Sequence, residues 1–75
     1  MDIYQRQART ITKISNYLKK VLPSGNVVEL DYLLWEFGSK EAVPNKFVIT
    51  TVEKMLKFDF RDSYKILEGE IVSNE

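Results

Sequence analysis

Lys46, Thr50, Lys54 and Lys57 follow one another at intervals of four, four and three residues, which lines them up along one side of a helix. They make a polar, mostly basic stripe, a surface for contact rather than for bond-making. Nothing else in the chain supplies catalytic groups at a recognisable spacing. The 75 residues contain no histidine and no cysteine. Those two absences remove nearly all zinc chemistry, the usual general base, nucleophilic triads and any disulfide framework. A carboxylate pair or a lysine remains, and no spacing marks one out. The expectation is a protein that is not an enzyme, with no catalytic residue, metal or cofactor.

The stripe needs a helix to carry it. On the opposite side of residues 44–58, Val48, Ile49, Val52, Met55 and Leu56 recur at i, i+1, i+4, i+7 and i+8 and form an apolar face. Pro44 suits the first turn and pushes Val43 towards an extended conformation, so a boundary belongs there. A shorter helix over 51–58 behind an extended 47–49 competes with this reading. Thr50-x-x-Glu53 matches a capping box, and the β-branched run Val48 to Val52 lowers helix propensity. The unbroken periodicity from Val48 to Leu56 favours the longer helix.

Residues 3–22 read as a long amphipathic helix. Its apolar stripe is Ile11, Ile14, Leu18, Val21 and Leu22, extended by Tyr4 and Ala8. Arg6, Arg9, Lys13 and Lys20 line the far side with Asn16, and Lys19 and Lys20 occupy the dipole-favoured last turn. That basic face is either a solvated surface or a contact for phosphates or an acidic protein. Pro23-Ser24-Gly25-Asn26 stops the helix, and Val27-Val28-Glu29 reads as a brief strand. Leu30, Leu33, Leu34 and Phe37 then share one face of a second helix, with Gly38 placed for a left-handed cap. Tyr32 and Trp35, neighbours at i and i+3, project about 100° or more from that face. Neighbouring helices cover them, or they form an exposed aromatic anchor for a protein interface. Ser39 to Val43 is a connection. Tyr64 to Val72 reads as a β-hairpin turned by Glu68-Gly69, and 73–75 as a frayed end.

Length allows one domain, 1–75, with a single core. Formal net charge is zero, from 11 basic and 11 acidic residues, without the overall basic footprint of a dedicated nucleic-acid binder. No apolar run approaches the roughly 18 residues of a membrane span, and no signal-peptide core is present. A soluble, cytoplasmic protein without a membrane partner is expected.

The order helix, short strand, helix, turn, helix, two-stranded hairpin resembles a winged helix-turn-helix domain, an α+β and mainly helical fold. Asn26 to Gly38 resembles the strand and second helix of that superfamily, Thr51 to Leu56 the body of its recognition helix, and Tyr64 to Val72 its wing. The resemblance spans nearly the whole chain. It implies double-stranded DNA as partner and a small transcriptional regulator or chromatin-associated factor as role. Lys46, Lys54 and Lys57 would then meet phosphates, with Asn45 and Thr50 at phosphates or base edges and Arg6, Arg9 and Lys13 in support. Glu53 is expected to pair with Lys57 at i+4. The chain departs from the superfamily pattern in a longer 38–44 connection and in a wing tip of Glu68-Gly69-Glu70, which phosphates repel. Such domains often act as pairs, so a homodimer through the first helix or Tyr32 and Trp35 is expected. The rival reading is a protein-docking module or small subunit of a transcription, replication or other assembly. It would use Tyr32, Trp35 and the basic face of the first helix.

Overall fold

A computed structural model describes residues 2–74. Helix α1 (Ile3–Val21) begins at Asp2, whose carboxylate accepts from the Gln5 N–H at 2.8 Å. Gly25, at φ +81°, turns the chain into strand β1 (Val28–Glu29), which passes directly into α2 (Leu30–Phe37). A 3₁₀ turn over Ser39–Glu41 and Ala42, left-handed at φ 57°, lead to α3 (Asn45–Lys54). The helix ends in one wide π turn, Met55–Asp59, closed by the Phe60 N–H on the Met55 carbonyl at 3.1 Å. Strands β2 (Tyr64–Leu67) and β3 (Glu70–Ser73) follow. Glu68 and Gly69 both have positive φ between them, the two-residue turn that matches strand twist.

The fold is thus a mainly helical α+β domain of three helices and one antiparallel sheet of order β1-β3-β2. Val28 pairs with Ile71, so the short strand before α2 is tied to the hairpin at the far end of the sequence. Ile14, Leu18 and Leu22 of α1, Leu33 and Phe37 of α2, Val48 and Val52 of α3, and Ile71 of β3 meet in one core. Met55 and Leu56, in the wide turn, join it. Tyr17 bridges α1 to α2, its ring centroid 5.6 Å from Tyr32 and 5.7 Å from Phe37.

Several expectations are corrected. The longer third helix exists, but its α-helical part ends at Lys54, and Pro44 is its extended N-cap (φ −60°, ψ 141°) rather than a helical residue. Gly38 is not left-handed: its φ is −107°. Glycine is needed there for space, since a Cβ would lie 2.4 Å from the Leu34 carbonyl oxygen and 3.2 Å from Asn45 Oδ1. The buried part of the α1 stripe also does not reach Tyr4, Ala8 or Ile11. Its core-facing residues are Thr10, Ile14, Leu18 and, past its end, Leu22, whereas Tyr4 is 79% and Ile11 42% exposed. Length is the reason. Nineteen residues at about 1.5 Å each make a rod of about 28 Å, longer than the domain's two smaller extents of 21 and 18 Å. The first two turns therefore run past the core. Ser73 belongs to β3, and Asn74 is pinned rather than frayed, its N–H donating to Ser63 O and its side chain to Asp62 O, both at 2.9 Å. Glu75 lies outside the described residues.

Candidate nucleic-acid interface

The face of α3 that carries the lysines is set by what the other face buries. Val48, Thr51 and Val52 point inward, and Ile49 is half-buried. At 100° per residue this turns Lys46, Thr50 and Lys54 outward as one stripe roughly 80° wide. All three are exposed, as are Asn45 and Lys57. Among the described residues Lys46 and Lys54 make no ion pair. Asn45 opens α3 and stands over Gly38, so the glycine lets the end of α2 and the start of α3 approach closely.

Lys57 is placed differently from the expectation. It falls within the wide turn, which stretches the α-helical spacing, and no Glu53–Lys57 salt bridge forms. Its ammonium instead lies 5.4 Å from the centre of the Phe58 ring. Lys57 also borders a groove of about 280 Å³ between α3 and the hairpin, shared with Glu53, Asp62 and Lys65. Lys65 was missed as a member of this surface. Strand alternation shows it opposite Ile66, but only the folding of the hairpin against α3 brings it beside Lys57. The tip of the hairpin carries no basic side chain: Glu68 and Gly69 form the turn and Glu70 starts β3.

The basic face of α1 does not join that surface. Lys13 Nζ donates to Glu41 Oε1 at 2.8 Å. This hydrogen bond, then the charge of Lys13, with smaller help from Arg9 and Lys40, holds the Glu41 carboxyl below its ordinary value against an opposing effect of burial. Arg9 and Lys13 each lie two residues from Ile11, so about 160° around the helix from it. Ile11 borders α3 on the outer surface, in a groove with Thr51, Lys54 and Met55. The Arg9–Lys13 face thus turns towards the 3₁₀ turn and away from α3, and Arg6 is half-buried.

The aromatic pair stands apart from both. Trp35 is 61% and Tyr32 43% exposed on the outer side of α2. Tyr32 leans on Tyr17, whose hydroxyl is held above its ordinary pKa by burial first and then by the nearness of Tyr32 and Glu36. No cluster of three metal-ligating side chains occurs among the described residues, and no helix is long and apolar enough to cross a membrane. The chain matches no known family, curated protein or solved structure.

Proposed function

We propose that this chain is a winged-helix domain that binds double-stranded DNA through the outer face of α3, as a small regulator or chromatin-associated protein. One observation carries the reading. Lys46, Thr50 and Lys54 form a single exposed stripe on a helix whose other face is buried in the core, and the two lysines have no internal partner among the described residues. A rigid helix that holds free ammonium groups outward meets the phosphate backbone without first breaking an ion pair. Lys57 and Lys65 extend the surface towards the hairpin. The stripe has no arginine, the side chain best fitted to guanine's paired acceptors, so binding is weakly dependent on sequence.

The order β1-β3-β2, with the hairpin beside α3, supports the winged-helix assignment. The acidic turn argues for docking by α3 alone, without a wing contact. Pairing of two copies would raise the affinity of so small a surface. The test is a titration of a fluorescent duplex from about 50 to 200 mM salt. A log–log slope of about −3 is expected, from three phosphates neutralised. Lys54→Glu with Lys57→Glu should abolish binding with the fold intact, and unchanged binding by that variant would remove α3 from the interface.

A second reading, a docking subunit of a larger assembly, draws on the exposure of Trp35 and Tyr32 and on the engagement of Lys13 with Glu41 rather than with α3. Trp35 is the one tryptophan of the chain, so its emission separates the two. Duplex on α3 leaves it unchanged, whereas a protein seated on α2 shifts it to the blue.

A further inference from the structure

The first two turns of α1 are helical without a core beneath them. No residue from 3 to 9 is buried, yet Ile3 and Gln7 continue the line of Thr10, Ile14, Tyr17 and Val21, at alternating steps of four and three. Tyr4, Ala8 and Ile11 continue the adjacent line of Ser15, Leu18 and Leu22. Both lines are uncharged and mostly apolar, broken only by Gln7, Thr10 and Ser15, the pattern of a helix that packs on a neighbour. From Thr10 onward the first line packs on this domain's core; before it Gln7 is half-buried, while Ile3 is 54%, Tyr4 79% and Ile11 42% exposed. Beside Ile11 a groove of about 240 Å³ is bordered by Met55, Phe58, Thr51, Lys54 and Asp59, and Phe58 is 68% exposed.

We propose that this surface is where the protein pairs with a second copy of itself, the two α1 helices antiparallel and Tyr4 of each copy seated in the groove beside Ile11 and Phe58 of the other. Register supports it. Tyr4 and Ile11 lie two turns apart on one line, so a two-fold axis passing between Gln7 and Ala8 sets each against the other's copy. Ala8, at the crossing, is small enough for close helix approach. Charge supports it too. In a two-fold pair, groups near the axis meet their own copies, so charge there repels. Ile3, Tyr4, Gln7, Ala8 and Ile11 carry none, while Arg6, Arg9 and Lys13 lie about 140–160° around the helix from Ile11. The groove offers Asp59 to the tyrosine hydroxyl.

Area sets the strength. Tyr4 and Phe58, at about 150–250 Å² for a whole aromatic side chain, with Ile3 and Ile11, give roughly 500 Å² per copy. The pair then buries about 1,000 Å², short of the roughly 1,200 Å² at which stable interfaces begin, which makes a weak, reversible dimer. This inference goes beyond duplex binding and does not depend on it, since pairing is measured with no DNA present.

The test is sedimentation equilibrium of the full chain up to about 1 mM, where even millimolar affinity registers. Dimer is expected to grow with concentration and, having no ion pairs at its centre, to hold between about 50 and 200 mM salt, unlike DNA binding. Tyr4→Glu and Ile11→Glu alter exposed positions and leave the helical circular dichroism in place. Each should raise the dissociation constant by about two orders of magnitude, because each acts twice per dimer. Trp35→Glu should leave it unchanged. The chain has no cysteine, so Ala8→Cys can form a disulfide only with its own copy, and it should do so under mild oxidation. A monomer at every concentration, a dimer that survives Tyr4→Glu with Ile11→Glu, loss of the dimer in Trp35→Glu, or no Ala8→Cys cross-link where dimer predominates would each overturn the proposal.

Discussion

Gly38 is buried where the end of α2 meets the start of α3, and the backbone there leaves no room for a side chain. A glycine after an apolar helical run signals a left-handed cap, but here φ is −107° and the constraint is the Leu34 carbonyl oxygen, 2.4 Å from where a Cβ would be. Gly38→Ala should therefore destabilise the fold by about 1–3 kcal/mol, because backbone has to move. Asparagine, which suits a left-handed cap, should be no better than alanine; rescue by Gly38→Asn in thermal melts would restore the cap explanation. Glu41 makes the second case. Its folded-state pKa is depressed, so its bond to Lys13 contributes stability above the ordinary carboxylate value of 4.5 and loses it as pH falls through the lower folded value. Urea unfolding at about pH 6 and pH 3 should show the wild type losing more stability than Glu41→Gln. Equal losses would mean that the pair contributes nothing. Neither partner could be chosen from sequence. Lys13 and Glu41 are 28 residues apart, and which carboxylate a helical lysine meets depends on how the 3₁₀ turn is folded against α1.

At the scale of elements, α1 and α2 were legible because each carries an apolar period and a stop signal, and the hairpin because Glu68-Gly69 marks its turn. The end of α3 was not, because a wide turn keeps the apolar residues Met55 and Leu56 buried while changing where Lys57 and Phe58 point. The sheet hides a second local conflict. Glu29 and Glu70 sit directly opposite each other across β1 and β3. Like charges so placed are unfavourable, so Glu70→Lys should stabilise the domain by about 0.2–1 kcal/mol in denaturant titrations. The same change should steepen the salt slope of duplex binding by about 1 if the start of β3 approaches phosphate. An unchanged slope would leave binding to α3 alone, as proposed.

At the scale of the whole molecule, a chain of 75 residues has one small core, contributing about 3–5 kcal/mol net. Leu33 is fully buried within it. Leu33→Ala should cost about 2–5 kcal/mol, most or all of that stability, and lower the melting temperature sharply. Trp35→Ala, at an exposed site, should shift stability by no more than about 0.5 kcal/mol. Circular dichroism melts of the two variants separate core from surface, and a Trp35→Ala chain that unfolds would make Trp35 structural. The sequence by itself determined the α+β class, the three helices, the hairpin and the outward lysines of α3, because side-chain period and turn chemistry are local properties of the chain. Tertiary structure alone decided that β1 pairs with β3, that the α1 basic face turns from α3 to Glu41, and that the first turns of α1 extend past the core. Periodicity fixes which side of a helix is apolar, but the neighbours packed against each stretch fix how much of that side is covered.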